Sequence, residues 1–319
     1  MPSVSSFNVS TAQSRVDPAS FRAARRRREL RGIARGLAFI SPWLVGVLAF
    51  QVYPFFASLY YSFRSTTLLK PGKFVGLDNY RLLMHDELFW KSLVNTFYYL
   101  GCSILLGTLF SLGLAMLLNQ QLRGTAIYRL LFYMPSIVPL AAVSVIWVWM
   151  LNPQYGVINY VLDRVGLPTV GWFSDPTWSM PGLILVSLWG LGNAMVIYLA
   201  GLQDIPVELY EAAALDGASA WQRMRGVTIP LLTPVILFNV VVGMIYGFQY
   251  FVEPYIITQG GPADSTLTYA LYLYNTAFQY RKAGYASAMA WILFVMIMAV
   301  TLLLLRTSGR WVHYQGGEQ

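Results

Sequence analysis

The sequence predicts an all-α protein that crosses a lipid bilayer about six times. Three observations carry that expectation. Hydrophobic residues make up 56% of the 319 residues and charged residues only 11%, where a soluble domain carries about 25% charged residues. Six mainly apolar runs each approach the roughly 20 residues that a membrane helix needs. The basic residues lie outside those runs and collect most densely ahead of the first one.

The polar stretch from Met1 to Gly36 is too long, and the apolar run behind it too extended, for a cleavable signal peptide. Met1 to Ser20 is rich in Ser and poor in large apolar residues, which predicts disorder. Residues 1–36 therefore read as a basic, largely disordered cytoplasmic tail. The net charge of +8 raises the possibility of nucleic acid, but eight of the 22 basic residues, among them Arg25–Arg28, Arg31 and Arg35, precede the first apolar run. Such a block next to a span is a topology signal and an attraction to anionic headgroups. It points to a membrane partner and away from nucleic acid.

The six runs are Leu37–Phe63, Leu93–Leu118, Leu130–Leu151, Met180–Leu202, Leu231–Phe251 and Gly284–Leu305. They define a six-span domain over residues 37–308, followed by a short C-terminal tail over 309–319. Pro42 and Pro54 are expected to bend or bound the first run. In the second, Ser103, Gly107, Ser111 and Ala115 fall four apart on one helical face, a pattern that lets two helix backbones approach closely in lipid. A contact inside the bundle is the favoured use of that face. Gly243 and Gly247 repeat the spacing in the fifth run, where they either pack or make room for a solute.

With the N-terminus inside, Arg123, Arg129, Arg223, Arg225, Arg306 and Arg310 join the N-terminal block on the inner side. The outer segments carry Arg64, Lys70, Lys73, Arg81, Lys91, Arg164, Arg281 and Lys282. The weight of the N-terminal block predicts both termini in the cytoplasm. Of the outer segments, Phe74–Asn95 mixes apolar and charged residues at helical spacing and predicts an interfacial helix. Leu267–Tyr280 is aromatic, as suits a membrane boundary. Glu253 beside Pro254 is expected at a hydrated interface.

Cys102 is the only cysteine, and His85 and His313 are far apart. No disulfide within the chain and no metal cage follow from that set. No P-loop and no acid, base and nucleophile constellation occur, so no catalytic residue, bound cofactor or metal is expected.

The segment from Asp204 to Pro230 reads as two short helices. Pro206 suits a first helical turn, Glu208 and Glu211 put negative charge near the positive helix start, and Ala212–Ala214 are strong helix formers. Gly217 fits the left-handed residue that ends a helix. Ser219 with Gln222 forms a capping box for the second helix, and Thr228-Ile-Pro230 is expected to stop it and to open the fifth run.

Here the chain resembles a known family. Glu211-Ala-Ala, three residues, Gly217, nine residues and Val227-Thr-Ile229-Pro230 look like the signature loop of bacterial ABC importer permeases, with Val and Ile where the pattern has Ile and Leu. Val75–Tyr80, Arg129 to Pro139, Trp172–Pro176 and Gly260–Pro262 extend the likeness to the maltose-type carbohydrate permeases. The Trp-Phe-Ser-Asp-Pro run is similar to the larger member of the usual permease pair, here without its additional spans and external domain.

The resemblance implies a type I importer transmembrane domain in a bacterial or archaeal cytoplasmic membrane. It implies a second permease subunit, two ATPase subunits that bind ATP and Mg, and an extracytoplasmic solute-binding protein. The cargo would be a sugar, oligosaccharide or polyol, moved by alternating access, and the chain itself would not be an enzyme. Glu211, Ala212, Ala213, Asp216 and Gly217 would dock on the ATPase. Ser136, Trp189, Gly190, Asn193, Gly243, Gly247 and Tyr250 would line the solute pathway, with Tyr246 and Gln249 as further candidates. The rival reading is an ion-coupled secondary transporter. Such proteins keep ionisable residues inside their spans, and these six runs hold no Asp, Glu, Lys or Arg.

Overall fold

The computed structural model describes residues 18–67, 70, 72–120 and 123–312. Residues 313–319 of the C-terminal tail, His313 among them, and the first 17 residues of the expected disordered tail lie outside that set. The described residues are helical apart from loops and one isolated bridge between Arg64 and Phe74. They form two compact units, Met1–Ser58 and Leu59–Gln319.

The first unit holds α1 (Pro18–Val47), a π-helical turn (Leu48–Val52) and the start of α2 (Tyr53–Ser62). From Pro18 onward the basic stretch is helix and not the expected disordered tail. Pro18 stands at the helix start, where its missing N–H is harmless, and Ala, Arg, Glu and Leu that follow are strong helix formers. The proline bends expected of the first run are replaced by a continuous helical path from Arg28 to Ser62, 35 residues long. Pro42 lies inside α1. The π turn immediately precedes Pro54, with the Tyr53 N–H donating to the Leu48 carbonyl. That adjustment re-satisfies the backbone around a proline that cannot donate.

The second unit is built around α4 (Glu87–Leu118), which packs along α9 (Gly192–Gln203) and α12 (Ile229–Phe248). The small-residue face of α4 makes this contact, as expected. Ser111 and Ala115 are fully buried, and a methyl added at Gly107 would sit 3.5 Å from Leu191. Ala115, Leu118, Met195, Tyr198, Leu199, Leu202 and Leu232 form the core at one end of α4. At the other end Phe89, Leu83, Tyr269, Leu271 and Met289 close the bundle, drawn from α3 (Asp78–Met84), α13 (Tyr269–Tyr274) and α14 (Ala283–Ser308) as well as α4.

Asp86 holds that second end together. The interfacial helix expected over Phe74–Asn95 is two helices, because Asp86 breaks it and caps α4. Its Oδ1 accepts from the backbone N–H groups of Leu88 at 3.0 Å and Phe89 at 3.4 Å. The hydroxyls of Tyr272 and Tyr285 donate to Oδ2 at 2.5 and 2.6 Å. One carboxylate thus joins residues almost 200 positions apart. Burial works against its charge, but the Tyr272, Tyr285, Phe89 and Leu88 donors outweigh it and hold the carboxyl below its ordinary value. A depressed folded-state pKa means stability that is complete above the unfolded value near 4 and is lost as pH falls through the folded one. Thermal stability of the purified protein is therefore expected to fall as pH drops below about 4. Asp86→Asn is expected to be less stable at neutral pH and to lose this acid dependence. An unchanged pH profile in that variant would refute the assignment.

Four helical stretches are long and apolar enough to cross a membrane alone: Arg28–Ser62, Glu87–Leu118, Ala220–Phe248 and Ala283–Ser308. The third and fourth runs are bent pairs. Thr125–Ile137 and Leu140–Met150 meet at 99°, and Pro176–Gly190 and Gly192–Gln203 meet at 50°. Counting each pair as one span gives six. The sharper bend follows from Pro139, which holds Val138 extended at ψ 133° and caps the next helix without a donor. At the other bend α9 starts against the chain of the first pair. A Cβ on Gly192 would lie 2.7 Å from the Phe132 carbonyl and 2.8 Å from the Tyr133 Cα.

Glu253 is only 7% exposed, contrary to the hydrated position expected of it. The chain turns back immediately after α12 into a π turn (Pro254–Thr258), and that return packs Glu253 inward. Burial pushes its carboxyl upward.

Candidate functional site

The 203–228 segment folds as a braced projection. Ile205 is buried, and Pro206 at ψ 132° caps α10 (Val207–Leu215), one position ahead of the first-turn place expected for it. The helix ends as anticipated. Gly217 sits at φ +79°. The Gly217 N–H donates to the Ala214 carbonyl at 3.0 Å, and the Ala218 N–H to the Ala213 carbonyl at 2.9 Å, the paired closure of a left-handed cap. The capping box is also formed, with the Ser219 N–H donating to the Gln222 Oε1 at 2.7 Å and the Gln222 N–H to the Ser219 Oγ at 3.4 Å. It opens α11 (Ala220–Arg223).

Ile229-Pro230 opens α12 (Ile229–Phe248) as expected, but the stop expected before it does not occur. A π turn (Met224–Thr228) carries α11 straight into α12, so Ala220–Phe248 is one 29-residue helical stretch. Pro230 falls in the first turn of α12, where a donor is dispensable. The projection is therefore the extension of a spanning helix, with α10 packed beside it. The Tyr210 hydroxyl, 3.0 Å from the Thr228 Oγ1, fastens α10 to that helix, and Tyr210 and Val227 pack on the Met195–Leu202 core.

Glu211, Ala212, Asp216 and Gly217 are exposed on this braced helix, and Ala213 is half-buried. Beside them stand apolar side chains that the sequence reading did not single out. Leu215 is 89% exposed, Trp221 66% and Val207 64%. An exposed carboxylate with bare apolar side chains on the same braced segment is suited to receive a soluble partner.

The proposed pathway residues divide. Trp189, Gly190 and Asn193 are exposed at the bend between α8 (Pro176–Ser187) and α9, and Tyr246 and Gln249 are exposed on and just past α12. Trp189 meets Trp147 edge-on at 5.7 Å and, with Met134, Pro135 and Met150, lines an apolar cavity of about 310 Å³. Ser136 is half-buried and donates to the Tyr133 carbonyl at 2.6 Å. Gly247 and Tyr250 are turned inward. A methyl on Gly247 would meet Leu100 at 3.3 Å. Tyr250 stacks on Tyr99 with centroids 3.8 Å apart and planes at 9°, its hydroxyl donating to the Leu183 carbonyl at 3.5 Å.

Gly243 belongs to a third group. It lines a small cavity of about 150 Å³ with Ser103, Gly107, Ser111, Tyr198 and Asn239. The Tyr198 hydroxyl is buried there, beside Thr108. Tyr198 and Asn239 were missed from sequence. Asn239, one amide in the long apolar run of α12, was the available signal.

A bundle of spanning and broken helices with a rigid charged projection defines a membrane transport subunit. Residues 103–313 match the family described as binding-protein-dependent transport system inner membrane component, and the chain belongs to that family. It is 45% identical over 289 residues to the probable ABC transporter permease protein YesP of Bacillus subtilis, covering 89% of this chain and 93% of that one. It is 35% identical over 279 residues to the lactose transport system permease protein LacF of Rhizobium radiobacter, covering 84% and 92%. Among solved structures it is similar to a chain of a bacterial ABC transporter involved in the import of the acidic polysaccharide alginate. That match has a TM-score of 0.79 and 24% identity, and covers 90% and 99%; it bears on the fold.

Proposed function

We propose that this chain is one permease subunit of an ATP-binding-cassette importer whose cargo is a carbohydrate. The observation that carries the proposal is the braced, exposed helix α10 with Glu211 at its surface, since this is a shape that passes motion from a soluble partner into α12 and the bundle. ATP and Mg bind on two partner ATPase subunits. A second permease completes the pathway, and an external solute-binding protein delivers cargo. The 203–228 projection and both termini face the cytoplasm, in keeping with the arginines ahead of the first span.

Glu211, Ala212, Ala213, Asp216 and Gly217 form the docking surface on this reading. Ser136, Trp189, Gly190, Asn193, Tyr246 and Gln249 face the solute, Gly243 lines the separate cavity with Tyr198 and Asn239, and Gly247 and Tyr250 hold the helices that carry those side chains. Sugars take hydrogen bonds from amide and hydroxyl groups and stack on aromatic rings, which the exposed set supplies. The cargo class draws support from relatives named for lactose and for trehalose and maltose transport.

The test is ATP hydrolysis by the complex reconstituted with its neighbouring-gene products and external binding protein, over a panel of sugars, polyols and amino acids. Stimulation by a carbohydrate is the expected result. Stimulation by amino acids alone would remove the cargo assignment, and solute accumulation driven by an ion gradient without ATP would remove the importer reading.

A further inference from the structure

A cavity of about 410 Å³ lies at the end of the bundle opposite the 203–228 projection. Its walls come from the segment before α3, from Asp86, and from the α13–α14 region. The size is within the range of small-molecule sites. Its polar groups are not all satisfied by the protein. The Thr66 hydroxyl is buried without a hydrogen-bond partner, and Thr276 is 1% exposed with only the Tyr272 hydroxyl beside its own. Both residues line the cavity. A buried hydroxyl left without a partner is costly unless a ligand or water completes it.

The two charges in the wall differ in availability. The Asp86 carboxylate already accepts from two backbone N–H groups and two tyrosine hydroxyls. Lys282 is exposed at the rim and carries no ion pair among the described residues. The aromatic ring of Tyr280, 53% exposed, stands in the same wall. The cavity thus offers several hydroxyls, one ammonium and one flat aromatic face.

We propose that this cavity is a binding site for a single sugar unit, separate from the bent-pair region, and that Lys282 makes it favour an acidic sugar over a neutral one. The inference rests on the carbohydrate reading above and on the sidedness given there, which puts the cavity on the outer face. It places a first stop for cargo at the entrance. The sugar hydroxyls pair with Thr66 and Thr276, its carboxylate with Lys282, and its apolar face with Tyr280.

The experiment is saturation-transfer difference NMR on the assembled complex in nanodiscs, without the external binding protein, using glucuronate and glucose as probes. Glucuronate is expected to bind more tightly than glucose. Thr276→Val, close in shape to the native residue, is expected to weaken both by about three- to tenfold, as for loss of one hydrogen bond. Lys282→Ala is expected to abolish the difference between the two sugars. Absence of glucuronate binding, or equal binding in native protein and both variants, overturns the proposal. Carbohydrate-stimulated ATP hydrolysis by the same preparation, with the external binding protein added back, separates the two claims. If hydrolysis responds to sugars while the NMR effect is absent, the outer site fails and the carbohydrate reading stands; if it responds only to other solutes, the carbohydrate reading itself fails.

Discussion

Glu211→Ala is expected to cut cargo-stimulated ATP hydrolysis and uptake by at least about tenfold while the complex still assembles in the membrane. The reasoning is electrostatic. Glu211 is exposed in this chain, so its removal leaves α10 without a lost internal partner, and Ala is the better helix former. In the assembled transporter the carboxylate would be enclosed among Leu215, Trp221 and the partner's surface. Truncating one member of an enclosed charge pair costs about 2–5 kcal/mol, much of it from the stranded opposite charge. Glu208→Ala is the control. Glu208 lies in the first turn of the same helix, and its loss removes only the favourable interaction with the helix start, about 0.3–1 kcal/mol. Equal effects of the two substitutions would show that α10 responds to charge in general, and the docking role of Glu211 would fall.

Gly192→Val is expected to have the largest effect on the fold. The position begins α9 at the 50° bend, with the Phe132 carbonyl and Tyr133 Cα where a side chain would start and the Ser136 Oγ 3.1 Å away. Two of these three atoms are backbone, so they cannot move aside by a rotamer change. Either α9 separates from the 125–137 helix or the bend opens. Overpacking of this kind costs about 1–3 kcal/mol, and a β-branched residue at a helix start adds restriction at χ1. The expected readout is earlier thermal aggregation of the purified complex, together with weakened uptake, because Trp189, Gly190 and Asn193 lie at the same bend. Gly190→Val is the comparison, since nothing lies within 4 Å of a methyl there. Native thermal stability in Gly192→Val would contradict the close approach.

Much of the projection was legible from sequence because its signals are local. The left-handed Gly217, the Ser219–Gln222 capping box and the alanine-rich helix each depend on residues within a few positions, and each formed as the spacing required. Local signals failed where a proline was taken as a stop. Pro54 and Pro230 are carried by π turns inside continuous helices, since in a bilayer the backbone has no water to turn to and adjusts within the helix. The bare Leu215 and Trp221 were likewise invisible, because exposure is a property of what packs elsewhere.

By itself the sequence determined the membrane class, the six apolar runs, the short helices of the inner loop and the small-residue face by which α4 packs. These depend on composition, period and capping, which neighbouring residues specify. Only the tertiary structure decided that two runs are broken at 99° and 50°, that Glu253 is enclosed, that Tyr250 stacks on Tyr99 while Tyr246 stays exposed, and that Asp86 ties α4 to α13 and α14. Each of these is a contact between segments far apart in the chain. In a helix that is apolar all round, hydrophobic periodicity does not tell one face from another, so which side chain meets a neighbour, a cavity or lipid is settled by packing alone.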